Sequence, residues 1–352
     1  MNSSKKSLGL FLLLLLPLVS SSSRAYTVGS GFTDACHEKF TFESYSQVSG
    51  DLPFYVITIP EDGRWDIMSL ELFKELDFPS LARRDRFYLF SLFSGVRHND
   101  TEGKTVLHLN ELRTLHTDKL GQYDHFLRST DDDYRPGDEN AVALSTARIL
   151  DLVEKARQYF QAPSEEQMML VPLAVDFYGE VEVEVWAPAF YLGKALHIMQ
   201  DSFSHAIRTD DQRRIVSVMN YADGISGAWL EDRDGLRHSD ELDKCDNPDS
   251  PRIQATQTAS DDLLAAGTQL ILFGEQDLLD QVVEDWLTYE PGCQAANNYC
   301  DSELARLAQD HPTGPYVESA LQCGHGPGNS RIALSVILLL FLAACSRRKR
   351  GA

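Results

Sequence analysis

The run "YLGKALHIMQDSFSHAIR", residues 191–208, limits what this chain can fold into more than any other stretch. On an α-helix, positions 197, 201 and 205 advance by about 400° at each step, so His197, Asp201 and His205 lie within roughly 80° of one another on one face. Leu192, Ala195, Leu196, Ile198, Met199 and Phe203 surround that polar stripe with apolar side chains. A helix that is apolar on its other faces is buried, and a buried polar stripe requires partners. Two imidazoles and a carboxylate held at fixed separation are a ligand set for zinc or a similar divalent ion. The fold must therefore wrap this helix and bring further polar groups to it.

Most of the remaining pattern is helical. "DIMSLELFKELD" and "SLARRDRFYLFSLFSG" carry apolar residues at helical spacing, and "ENAVALSTARILDLVEKARQYFQA" is a long amphipathic helix. "APAFYLGKALHIMQDSFSHAIR" opens with Pro188 in a first turn and continues helical to about His205. "ASDDLLAAGTQLILFG" and "QDLLDQVVEDWLTY" predict later helices. "FYVITIP" alternates like a strand ended by Pro60, "GEVEVEV" reads as a short exposed ribbon, and His98 to Asp138 reads as long loops. The expectation is one mainly α, multi-helix domain over residues 26–320, with metal-binding loops and no internal repeat.

Both ends read as targeting signals. Residues 1–25 run from Lys5 and Lys6 through "LGLFLLLLLPLV" to small residues before Ala25, the layout of a secretory signal peptide. Residues 321–352 contain Cys323, a Gly/Pro linker, the 14-residue apolar stretch Ile332 to Cys345, and a basic end, Arg347, Arg348, Lys349 and Arg350. That stretch is about 21 Å long as a helix, short of the roughly 20 residues a spanning helix needs. The layout resembles bacterial carboxy-terminal sorting tails with a cysteine ahead of the apolar run. The resemblance implies membrane contact through the tail, a sorting protease acting near Cys323, and a protein exported to the cell surface or released. A short membrane anchor with its basic end inside is the other reading.

Removing the eight basic residues of the two ends takes the formal net charge from -21 to -29 over residues 26–330. Such a field repels nucleic acid and anionic bilayers, which argues against a double-stranded nucleic acid partner. Of the six cysteines, Cys293 and Cys300 are near enough for a local bridge, which leaves Cys36 and Cys245 as a long-range pair. Sequence alone does not fix that connectivity.

Further ligand types occur elsewhere. "GVRHNDTEGK" offers Asp100 with His98 beside it, "GQYDHFLRSTDDDY" offers His125, and "LRHSDELDKC" offers His238 with Glu241 or Asp243. His37, in "TDACHEKF", joins the set if Cys36 pairs with Cys245.

With these residues the sequence resembles the zinc-dependent phospholipase C superfamily, which includes the single-strand nucleases. The match rests on His197 and Asp201 as His-x-x-x-Asp, on "YLGKALH" before them, on Asp100 and His125 upstream, and on His238 and Glu241 downstream. The chain departs from the family where residue 207 is Ile and the next imidazole is His205, where residue 242 is Leu, and where cleavage after Ala25 exposes Tyr26 rather than Trp. It reads as a divergent branch.

The resemblance implies a fold of that type and two or three zinc ions. Asp201 would bridge metals, His197, His125 and Asp100 would complete one site, and His205, His238 and Glu241 would form another. It implies phosphodiester hydrolysis with Asp100 as the general base, on a phospholipid headgroup in preference to single-stranded nucleic acid, because no basic patch interleaved with aromatics occurs between residues 26 and 330. A non-catalytic surface protein with a structural metal is the alternative from a different class. A metalloprotease is the weaker third reading, because the chain contains no His-Glu-x-x-His.

Overall fold

The computed structural model describes residues 35–48 and 57–290, apart from 62, 74–75, 77, 109–110, 113, 116–117, 130–133, 176–177, 221–235, 237 and 239–241. The described helices are α1 (Cys36–Val48), α2 (Arg64–Leu72), α3 (Arg83–Thr101), α4 (Lys119–Tyr123), α5 (Tyr134–Gln161), α6 (Ala187–Ser204), α7 (Pro251–Phe273) and α8 (Gln276–Trp286). Between them lie the strands β1 (Met168–Val175), β2 (Gly179–Trp186), β3 (Ala206–Arg208), β4 (Arg214–Val218) and β5 (Thr288–Tyr289). The architecture is mainly α, as the apolar periodicity predicts.

Helix α6 is the centre of the packing. Every one of its residues except Tyr191 is buried, which is why its sequence is apolar on more than one face. It is held between α3 and α5, with α7 against it. The crossing with α3 is close because a glycine on each helix faces the backbone of the other. A Cβ at Gly193 would stand 2.0 Å from the Leu92 carbonyl oxygen, and one at Gly95 would stand 1.9 Å from that of Phe190. No side chain fits between the two backbones at this point, so the last turn of α3 lies alongside the middle of α6.

The neighbouring helices are specified by ordinary means. Ala141, Ser145, Ile149, Leu152, Val153 and Ala156 bury one stripe of α5 at spacings of three and four. Helix α7 starts at Pro251, whose fixed φ suits a first turn, and stops at Gly274, whose φ of 75° is open to glycine.

β1 and β2 form an antiparallel ribbon, with Leu170 opposite Glu184 and Pro172 opposite Glu182. The "GEVEVEV" ribbon is thus exposed on one face only: Glu180, Glu182 and Glu184 face outward, while Val183 and Val185 are buried. The second sheet has the order β3-β4-β5, with β4 antiparallel to β3 and parallel to β5.

Two expectations change. The stretch 98–138 is not all loop, because α3 runs on to Thr101, α4 lies within it and α5 begins at Tyr134. The extra turn of α3 is polar yet buried: Arg97 pairs with Glu38 at 2.8 Å, and Asn99 Nδ2 donates to the carbonyl of Lys194 at 3.1 Å. Apolar periodicity cannot register a helical turn buried through polar partners. Residues 57–60 of "FYVITIP" form no strand, and the rest of that run lies outside the described residues.

Cys36 and Cys245 form a disulfide, so the long-range pairing is correct. The signal, the tail, and Cys293, Cys300, Cys323 and Cys345 lie outside the described residues. Among the described residues no helix is long and apolar enough to cross a membrane.

Candidate metal centre

The close crossing of α3 and α6 sets Asp100, in the last turn of α3, beside His197 and Asp201 on α6. His197 Nε2 is 3.0 Å from Asp201 Oδ2 and 3.8 Å from Asp100 Oδ1. His125 Nδ1 completes the group, 3.2 Å from His197 Nε2, 3.2 Å from Asp201 Oδ2 and 3.7 Å from Asp100 Oδ1. His125 stands just past α4, and Phe126 after it has a φ of 50°, a left-handed conformation that costs an aromatic residue energy and is retained where the surroundings enforce it. They do so here. The Arg128 backbone N–H donates to the Met219 carbonyl, and its guanidinium donates to buried Asp138, which also accepts from the Val218 N–H and the Ser217 hydroxyl.

The other oxygen of Asp201 faces His37, with Oδ1 3.3 Å from His37 Nε2. Gln200 fixes the tautomer of that ring, because its Oε1 accepts from His37 Nδ1 at 2.7 Å while its Nε2 donates to Thr41 Oγ1 at 3.1 Å. A lone pair of His37 therefore points at a carboxylate oxygen. Only a proton or a metal cation between them makes that contact favourable.

A second group lies beyond His205, which caps the end of α6. His205 Nδ1 donates to the His125 carbonyl oxygen, leaving Nε2 as a lone-pair donor with no hydrogen-bond partner among the described residues. That nitrogen is 4.0 Å from Asp243 Oδ1, which is 3.1 Å from His238 Nε2. Backbone bonds join these loops: the Met219 N–H donates to the carbonyl of His205, that of Asn220 to Leu236, and that of His238 to Asn220. Three groups could thus hold a metal ion: His37, His197 and Asp201; Asp100, His125 and His197; and His205, His238 and Asp243.

The electrostatics describe a cluster suited to cations. Burial alone would raise the Asp201 carboxyl, but His197 and His205, with the bonds from His125 and His197, hold it well below its usual range. Burial works against charge on His37 too, yet the bond and charge of Asp201, the charge of Asp100 and the bond to Gln200 carry it up to about 9. Burial also opposes charge on His125, whose value is nonetheless raised by Asp201 and Asp100. His205 is held neutral, pushed down to about 3 by burial and by neighbouring His238. Burial lowers His197 as well.

Seven of the eight ligands expected from the sequence are brought together here: His37, Asp100, His125, His197, Asp201, His205 and His238. The eighth, Glu241, lies outside the described residues, and the carboxylate that reaches His205 and His238 is Asp243, the other candidate in the same loop. Asp100 stands on a helix rather than on the expected loop. Gln200 was missed, since an amide inside a buried helix carries no signal of its own. Comparison with protein-family models, curated protein sequences and solved structures finds no match for this chain.

Proposed function

We propose that this protein is an exported, zinc-dependent phosphodiester hydrolase of the phospholipase C type. The observation that carries the reading is the His205 ring, with Asp201 Oδ2 3.9 Å from one nitrogen and Asp243 Oδ1 4.0 Å from the other. One imidazole thus separates two ligand groups, a spacing that serves several ions acting on one substrate. Zinc bonds of about 2.0–2.1 Å set tetrahedral ligand atoms roughly 3.3 Å apart. The separations of 3.0 to 3.8 Å of His125 and His197 from each other, from Asp201 and from Asp100 suit that geometry.

When bound, such ions would lower the pKa of a water and stabilise the phosphoryl and leaving-group oxygens. The chain's own part is orientation and proton transfer. His37, His125, His197 and Asp201 are closed off from solvent, whereas Asp100 and Asp243 each keep 5% exposure and mark where a substrate would approach. Asp100 accepts the proton of the attacking water as its oxygen bonds to phosphorus and the ester P–O bond breaks. The charge of -29 over residues 26–330 favours a phospholipid headgroup over single-stranded DNA. Export through the amino-terminal signal, and retention or processing at the tail near Cys323, belong to the same reading.

Near-complete burial of the cluster favours the second reading, a closed structural metal site. Zinc content per chain, measured together with hydrolysis of phosphatidylcholine and single-stranded DNA, decides between them. Two or three ions with chelator-sensitive hydrolysis support the enzyme, and Asp100→Asn should then lose roughly 10²–10⁴-fold in turnover. One tightly held ion without hydrolysis supports the structural site.

A further inference from the structure

Asp243 is the carboxylate of the second group, yet it stands in a turn and not on a helix or strand. Two neighbours hold that loop. Cys36 Sγ, in the disulfide with Cys245, packs 3.7 Å from the Asp243 carbonyl oxygen. The guanidinium of Arg252, which is only 6% exposed, donates from Nη1 to the Leu242 carbonyl at 2.6 Å and from Nη2 to the Lys244 carbonyl at 2.8 Å. Arg252 therefore grips the backbone on both sides of Asp243 with the two arms of one planar group. Lysine has no such fork.

Helix stability does not explain this arginine. It occupies the first turn of α7, where a cation opposes the helix dipole, and it is buried, which costs further free energy unless the charge is well bonded. Its own backbone is tied into the helix, since the Thr256 hydroxyl donates to the Arg252 carbonyl at 2.8 Å. The guanidinium is thus a rigid post reaching from α7 to the loop.

We infer that Arg252 is a positioning residue for the second metal group, holding the peptide units on either side of Asp243 so that its carboxylate meets His238 and His205. The inference rests on the reading of His205, His238 and Asp243 as a metal centre. It makes one ion depend on α7 and leaves the group on α3 and α6 independent of Arg252.

The test uses the full chain with its disulfide intact, loaded with zinc and separately with cobalt(II), and compares wild type with Arg252→Met, Arg252→Lys and Asp243→Asn. Arg252→Met should bind one ion fewer per chain than wild type, and the cobalt absorption it lacks should be the component that Asp243→Asn also lacks. Arg252→Lys keeps the charge and carries the test should the methionine variant fail to fold. It should bind that same ion tenfold to a hundredfold more weakly, with the remaining ions unchanged. A general structural role would weaken all ions together, and that result overturns the assignment, as does wild-type affinity in both arginine variants. Absence of any bound ion in wild type removes the metal-centre reading itself, and this is seen before any variant is made.

Discussion

The two groups that share His197 form one ligand cluster and the group at His205 another, and the two clusters are built in different ways. In the first, His197 and Asp201 stand on α6 and Asp100 on α3, so helical periodicity and one close crossing fix three of the ligands. In the second, His205 caps a helix, while His238 and Asp243 stand on irregular backbone. Here position comes from distant holds: a disulfide joining residues 209 apart, and an arginine on another helix. A helix carries its own geometry, whereas a loop takes it from what grips it. The first group should therefore fail only with the fold, and the second should fail alone.

The largest effect is expected at the crossing. Gly193→Ala places a methyl group 2.0 Å from the Leu92 carbonyl oxygen, a backbone atom that cannot swing away. Forcing α3 and α6 apart should destabilise the protein by more than about 3 kcal/mol. It should also remove both groups at once, since His125 bonds to His197 on one side and to His205 on the other. Denaturant unfolding and metal content, measured on the same sample, check this. A folded variant that loses only the ion at His205 would invert the comparison.

The second group is tested through its covalent hold. Replacing both cysteines, Cys36→Ser with Cys245→Ser, releases a long loop and should cost roughly 2–5 kcal/mol. The loss should not be even. His37, beside Cys36, remains anchored by Gln200 and Thr41, whereas the Asp243 loop loses its covalent hold and is left with non-covalent ones such as the grip of Arg252. The variant should lose the ion at His205, His238 and Asp243 first as chelator is raised. Equal loss from both groups would mean that the disulfide serves the whole fold and not this loop.

What the sequence reveals follows the same division. The spacing of four among His197, Asp201 and His205 is visible because a helix converts spacing into direction. His37 is legible only through a cysteine pairing that the sequence permits without fixing. Glu241 and Asp243 look equivalent in "LRHSDELDKC", because what turns Asp243 inward is an arginine nine residues on and a cysteine 207 residues back. The helical setting of Asp100 is hidden for another reason: the turn around it is buried through ion pairs and amide bonds rather than apolar side chains. β3 and β5, of three and two residues, are too short to carry any alternation.

The smallest effect separates geometry from environment. Arg157 Nε donates to Glu154 Oε2 at 2.7 Å and Nη2 to Oε1 at 2.8 Å, a two-pronged pair of good geometry on α5. Arg97 and Glu38 pair at a similar 2.8 Å beside the first metal group, but there the side chains are 7% and 0% exposed, against 30% and 39% on α5. In water the attraction between charges is screened, and ordering two long side chains offsets most of what remains. Arg157→Ala should change stability by less than about 0.5 kcal/mol and leave metal content as it is. A larger loss, or any change in bound ions, would mean that the outer face of α5 supports the centre, and that burial is not what divides the polar groups that shape this site from those that merely cover it.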